Sequence, residues 1–335
     1  MLSASPRTPQ GELTRDVRPR PGTSPQVVGP SGRWQLLRVL GPARRREQVS
    51  LRLFVIPLVI IFIALFALPV ARSLYFSFTN FGGYSNKVSF VGLANYRALF
   101  SNATVLTGLA FTLTYALGRA LIVTVLAIPL AVVLNRKFVG RNFVRAAMFF
   151  PAVPSAAILG LVWAFILAPI SVGVVNSALG ALFGVGPVPW LSTNFLARLS
   201  VVVVGVWQQL GWHAMLYLAY LQSIPGDYYD AADVDGASSR QRFFYITVPL
   251  LAPAMTISIV LLVVFGLQEY ALPLALTGGG PGYATYTVSQ TIITLGISNA
   301  QYGQGAALSI LFLLMVAVVL VVQISILRRR EARLR

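Results

Sequence analysis

From Arg52 onward the chain repeats one pattern, a long apolar run followed by a shorter polar connector. Six runs stand out, at approximately 53–76, 107–134, 143–168, 198–222, 250–276 and 304–327. Each reaches the roughly 20 residues that a helix needs to cross about 30 Å of hydrocarbon. None alternates as a lipid-facing β-strand does, and a segment in hydrocarbon must satisfy its own backbone, so helices are predicted. The predicted fold class is an all-α integral membrane protein with six transmembrane helices, occupying 51–328. Pro57, Pro69, Pro129, Pro151, Pro154 and Pro273 fall inside the runs and predict kinks there.

Residues 1–50 differ. They hold nine Arg and three acids among many Pro, Gly and Ser, with no apolar stretch behind a charged start. That composition predicts a flexible basic tail rather than a signal peptide or a folded domain. Over the whole chain, charged residues are 10% and hydrophobic residues 56%. A soluble domain carries about 25% charged residues, so a water-soluble enzyme or DNA-binding domain is excluded. There is no cysteine and one histidine. Disulfides, thiolate zinc sites, thiol nucleophiles and His-rich metal centres are therefore excluded as well.

The net charge of +17 reads as a topology signal. Of 26 Lys and Arg, 21 lie in the tail through Arg52, in 135–145, in 223–249 and in the basic segment that ends the chain at 329–335 together with Arg328. The opposite connectors hold Lys87, Arg97 and Arg198. An even number of crossings with both termini cytoplasmic fits this asymmetry, and no nucleic-acid partner is expected. The outer connectors 169–197 and 277–303 carry no charge and are rich in Gly, Pro, Ser, Asn and Tyr. They suit hydrogen bonding to a neutral partner or to each other; for 169–197, simple connecting turns fit equally.

The inner connector 225–249 is too polar to span. Pro225 suits the first turn of a helix, and Asp227 and Asp230 complement its N-terminus. Gly236 suits a left-handed stop, and Ser238 or Ser239 a second N-cap. Two short helices joined by a glycine turn are predicted, with Asp227, Asp230, Asp233 and Asp235 on the side otherwise full of arginine. A protein-docking element explains those acids better than an amphipathic helix lying on anionic lipid. No GxxxxGK(S/T) motif is present, so a nucleotide is not bound by a phosphate loop of this chain. Energy must come from a partner or from an ion gradient. Paired acids, HExxH and nucleophile–base sets are also missing, so the chain is not expected to be an enzyme.

The run Asp230-Ala231-Ala232-x-x-Asp235-Gly236-Ala237, followed by Phe243, Ile246 and Pro249, resembles the signature loop of binding-protein-dependent ABC importer permeases. FVGLANYRALF (90–100), RNFVRAAMFFPAVPS (141–155) and LTGGGPGYAT (276–285) are similar to segments of the carbohydrate type, the last to the larger permease subunit of maltose-type transporters. The likeness covers most of 50–335. It implies a multi-pass subunit of a bacterial-type cytoplasmic membrane that forms half of a pore for a sugar or sugar-like solute. It implies three protein partners within the bilayer system: a second permease, a dimeric ATP-binding subunit and an extracellular or periplasmic solute-binding protein. No cofactor is then bound by this chain; ATP and Mg belong to the partner ATPase. The alternative is a secondary transporter driven by an ion gradient.

Residue roles follow from the same resemblance. Asp230, where the family usually has Glu, would contact the ATPase. Ala231, Ala232, Asp235 and Ala237 complete the coupling segment, Gly236 permits its turn, and Phe243, Phe244 and Ile246 pack the second helix. Gln209 and Trp212 in the fourth span, and Gly266 and Glu269 in the fifth, match sugar-lining positions, with Gln208 and Gln268 beside them. Glu269 is the only acid in any predicted span. It reads either as a carboxylate in the solute path, favouring a cationic or amino-bearing sugar, or as half of an internal salt bridge, for instance to Arg119. The Gln pair reads equally as interhelical hydrogen bonding and Trp212 as a lipid-interface residue. His213 is expected to be a packing histidine.

Overall fold

The computed structural model describes residues 55–84 and 88–334. The expected tail 1–50 and Lys87 lie outside them. Among the described residues the chain is helical, with one isolated antiparallel bridge between Thr79 and Phe90. In chain order the helices are α1 (Val55–Phe76), α2 (Ala94–Ser101), α3 (Ala103–Asn135), α4 (Arg141–Ala152), α5 (Ala156–Ile166), α6 (Val174–Phe183) and α7 (Asn194–Leu221). They continue with α8 (Asp227–Val234), α9 (Ser239–Leu250), α10 (Ala252–Leu267), α11 (Ala271–Thr277), α12 (Val288–Ser298) and α13 (Tyr302–Leu334). The chain divides into two units within α1, one ending at Ala67 and one starting at Leu68.

Helices α1, α3, α7 and α13 are each long and apolar enough to cross a membrane. Two further pairs pass that test together but are bent, α4–α5 by 96° and α9–α10 by 68°. Taking each bent pair as one span makes six. The third predicted run, 143–168, is thus broken at 153–155, where Pro154 precedes Ser155, whose hydroxyl caps α5. The fifth, 250–276, is not one helix. It stops at Leu267, and a separate helix restarts at Ala271. By contrast Pro129 does not interrupt α3. The connector 277–303 also departs from a plain loop, because α12 lies within it with Val288, Gln290, Thr291 and Leu295 buried.

Helix α3 is the centre of the second unit. Ala116, Ala120, Val123, Ala127 and Ala131 recur every three or four residues on its buried face. They meet Ala214, Tyr217, Leu218 and Leu221 of α7 and Ala254, Leu262, Val263 and Leu267 of α10. Without water between helices, association rests on close van der Waals packing, and small residues let the backbones approach. Gly266 of α10 shows the consequence: a Cβ there would lie 2.9 Å from the Ala116 Cα. The opposite faces expose Leu121, Val125, Phe165, Val318 and Val321, the pattern expected where lipid replaces water.

The three connector motifs turn out to be fastenings. The Asn95 amide donates to the carbonyls of Ser77 and Thr79 at 2.9 and 2.8 Å, and Tyr96 donates to the Ser77 hydroxyl at 2.8 Å. Arg145 of α4 donates to the Leu134 carbonyl at 2.7 Å, covering the C-terminal end of α3. The Thr277 and Thr285 hydroxyls meet at 2.6 Å across the glycine-rich turn. Arg198 of α7 donates to Ala284 in the same turn at 2.8 Å.

The crossing of α4 over α7 yields a test. A Cβ on Gly211 would collide with the Met148 carbonyl, a backbone atom that cannot swing away. Gly211→Val is expected to cost about 2 kcal/mol or more and to lower the unfolding midpoint of detergent-solubilised protein by at least about 4 °C. An unchanged midpoint contradicts this crossing.

Candidate functional site

Two places concentrate polar chemistry. The first is the α8–α9 hairpin, and its shape follows from local rules. Asp227 and Asp230 sit in the first turn of α8. At its end Gly236 is left-handed, with φ of +73°. The Ala237 amide donates to the Ala232 carbonyl at 2.9 Å and the Gly236 amide to the Asp233 carbonyl at 3.2 Å. Those are the paired bonds of a Schellman stop. Ser238 then starts α9 with a complete capping box against Gln241. Asp233 pairs with Arg242 across the hairpin, and the Tyr229 and Thr247 hydroxyls meet at 3.1 Å.

The hairpin has an exposed tip and an embedded base. Asp230, Ala231, Asp235 and Gly236 are exposed, and Val234 is 88% exposed. Ala232 is buried, Ala237 and Ile246 are half-buried, and Phe243 packs against the α3–α7–α10 core. Phe244 departs from expectation. It is 54% exposed and touches Phe243 edge-on, so it does not pack the second helix into the core. A five-residue π-turn, Phe243–Thr247, precedes Pro249. Proline clashes with the carbonyl four residues back, here Tyr245, and the wider turn accommodates it.

The second place lies between α3 and the break that ends α10. Arg119 is 1% exposed. Its Nη1 donates to the Tyr115 hydroxyl at 3.1 Å and lies 3.4 Å from Glu269 Oε2. Its Nη2 donates to the Leu262 carbonyl at 3.3 Å. The other oxygen of Glu269 accepts from the backbone amides of Tyr270 and Leu272 at 3.2 and 3.3 Å, at the start of α11. Gly266 is buried against Ala116, with Arg119 Nη2 beside it. The fold therefore brings Gly266 and Glu269 together with Arg119. Gln268 is exposed and lines a cavity of about 400 Å³ with Ser73, Ile292 and Ser309.

On α7, Gln208 is buried and its Oε1 has no partner among the described residues. Gln209 is half-buried and Trp212 partly exposed. Among the described residues no hydrogen bond joins either to Glu269. His213 Nδ1 meets the Ser258 hydroxyl at 2.7 Å, a satisfied packing histidine. No group of three or more His, Asp or Glu able to hold a metal occurs among the described residues.

Sequence reasoning missed Tyr115 and Asn176. Tyr115 stands four residues before Arg119, on the same helical face, and the Arg119 guanidinium lies 5.0 Å from its ring centre. Asn176 is buried in the connector before α7. Its amide donates to Ala168 and Val188, and its oxygen accepts from Val188 and Trp190, all at 3.0 Å. A lone amide in an uncharged apolar stretch was the available signal.

A family model described as "Binding-protein-dependent transport system inner membrane component" matches residues 123–335, which contain the hairpin and Glu269. The chain is 31% identical over 283 residues to the "Probable starch degradation products transport system permease protein AmyD" of Thermoanaerobacterium thermosulfurigenes, covering 84% of this chain and 95% of that protein. It is 32% identical over 280 residues to the trehalose/maltose transport system permease protein MalF of Thermococcus litoralis, covering 83% and 94%. A chain of a bacterial alginate ABC transporter, solved with an alginate pentasaccharide-bound periplasmic protein, has a TM-score of 0.74 over 85% of this chain and 96% of that one. Its identity is 23%, a likeness of fold.

The hairpin's stop is testable by itself. A side chain at the left-handed Gly236 costs about 1 kcal/mol, so Gly236→Ala is expected to speed amide exchange in α8 about fivefold. Exchange unchanged from wild type would place the stop elsewhere.

Proposed function

The chain belongs to the family of binding-protein-dependent transport system inner membrane components, and on that basis we propose that it is a permease subunit of an ATP-driven importer for a sugar or sugar-like solute. It forms half of the pore with a second permease subunit in the bilayer. A solute-binding protein delivers the solute from outside. A dimeric ATP-binding subunit, which carries ATP and Mg, drives the cycle from the cytoplasmic side. Both termini of this chain are cytoplasmic, and it holds no cofactor of its own.

The observation that carries this reading is the α8–α9 hairpin. An otherwise apolar molecule extends a polar, acidic helical pair with an exposed tip and a base held in the helical core. Its internal bonds supply stiffness, since the surface Asp233–Arg242 pair adds at most about 1 kcal/mol to the Schellman stop and the capping box. A stiff element transmits displacement where a loop would absorb it. Asp230 and Asp235 offer charge to the motor subunit, and Val234 an apolar contact. Movement of the hairpin reaches α10 through Phe243 and through the short joint between α9 and α10.

A proton-coupled form of the ion-gradient alternative would need an acid free to titrate at membrane depth. Glu269 has both oxygens engaged, which favours the ATP-driven reading.

Co-purification tests the proposal. The tagged chain, purified from its native membrane, is expected to retain an ATPase and a second permease. Gly236→Pro forces a negative φ on a left-handed position and is expected to reduce ATPase retention at least about tenfold, while Asp230→Glu preserves it. Solute uptake by the chain alone in liposomes, driven only by an ion gradient, would overturn the reading.

A further inference from the structure

We infer that the corner between α3 and α4 is a binding site for one anionic phospholipid of the cytoplasmic leaflet, with the phosphate in a basic recess and the acyl chains along the exposed apolar face of α4. The inference goes beyond the importer reading and does not depend on it.

The corner gathers cations and no anion. Arg136, Lys137, Arg141 and Arg145 follow one another closely, and the chain has no acid from 48 to 226. Among the described residues the ion pairs are Arg119–Glu269 and Arg242–Asp233, so none of these four has an acidic partner there. Lys137 and Arg141 line a recess of about 350 Å³ with Phe138, Gly140, Asn142 and Phe143. Arg145 lies four residues beyond Arg141, on the same helical face. It is half-buried; its Nη2 donates to the Leu134 carbonyl, and its Nε is buried with no partner among the described residues. A cation drawn partly out of water without a counter-charge is costly, and an anion in the adjoining recess offsets that cost. Gly140, left-handed at φ of +81°, has no side chain to cap α4. The Asn142 and Phe143 amides have no acceptor among the described residues, and they add two donors to the charges of the side chains.

Topology alone asks only that cations lie on this side of the membrane. It asks neither for a recess nor for an apolar surface beside it, and both are present. Phe143, Ala146, Ala147 and Phe150 recur at helical spacing along α4 and are all exposed, Phe143 at 78% and Phe150 at 63%. Phe143 belongs to both surfaces, since it lines the recess and begins the apolar face. An amphiphile with a phosphate at one end matches the two together. An acidic patch on a soluble partner would meet the cations and leave Phe143 and Phe150 uncovered, and a free phosphate would do the same. The lipid would sit where α4 is fastened to its neighbours. Arg145 holds the end of α3, and the Met148 carbonyl lies against Gly211 of α7.

Titration of a fluorescent phosphatidylglycerol tests the site, using the full chain with its co-purifying partners in uncharged detergent micelles. Binding is expected to saturate, to be displaced by unlabelled phosphatidylglycerol, and to persist in an excess of phosphatidylcholine or of inorganic phosphate. Lys137→Gln and Arg141→Gln are each expected to weaken it about fivefold, and Phe143→Ser at least about threefold. Lys137 is exposed and bonds to no other described side chain, so its variant reports binding even if Arg141→Gln loosens α4. Arg328 and Arg329 are exposed on the same side. Changing both to Gln is expected to leave the affinity within about twofold of wild type. Equal weakening by that pair would reduce the corner to bulk surface charge and overturn the site. Displacement by inorganic phosphate would make the ligand a free anion and overturn the lipid. Binding that appears only after the partners are stripped away would give the recess to one of them and overturn the inference as well. The readout needs no transport, so a failed importer reading leaves it standing.

Discussion

Hydrocarbon cannot donate or accept a hydrogen bond, and this constraint governs the chain from its composition to its break points. Backbone polar groups must be satisfied within helices, and helices must meet through close packing rather than through expulsion of water. Helix α3 answers both demands. Its alanine-rich face allows α7 and α10 to approach, and the side chain of Arg119 satisfies groups on its own helix and on α10. Where α10 must stop short inside the apolar layer, Glu269 receives the first amides of α11. An acid at that depth is costly by itself and tolerable when an arginine from the central helix neutralises it.

The two polar places are mechanically continuous. The hairpin enters the core through Phe243 and continues as α9 into α10. Helix α10 ends in the joint that Arg119 and Glu269 hold. The α8 tip is thus linked through α9 and α10 to α11 and, through α11, to α5. The lever is stiff for local reasons, a left-handed glycine and a capping box, whereas the joint is held by contacts distant in sequence. That division suits a device in which one end must keep its shape against a partner and the other must hold a fixed angle within the membrane.

The same division explains what was legible in the sequence. The apolar runs were legible because spanning length and hydrophobicity are properties of a contiguous segment. The hairpin was legible because Gly236 and Ser238 act on their immediate neighbours. The break at Gln268–Tyr270 was hidden by apolar residues on both sides, Val263 to Leu267 and Ala271 to Leu276, which read as one run. Helix α12 was hidden by its threonines and glutamine, which look like a loop until α3 and α13 cover them. The competition between a solute-facing Glu269 and a paired one could not be decided from neighbours either, because its partner lies 150 residues away. Phe244 was misjudged since three apolar residues close together on a short helix cannot all face inward.

In the proposed importer the α8–α9 tip faces the cytoplasm and meets a separate motor subunit. The chain contains no cysteine, so Val234→Cys gives a single reactive thiol at the most exposed apolar point of the hairpin. The direct measurement is labelling of that thiol by a membrane-impermeant maleimide in right-side-out and inside-out vesicles, with and without the ATP-binding partner co-expressed. Labelling is expected from the cytoplasmic side alone, with protection when the partner is present. Labelling from the outside, or cytoplasmic labelling that the partner leaves unchanged, would contradict it.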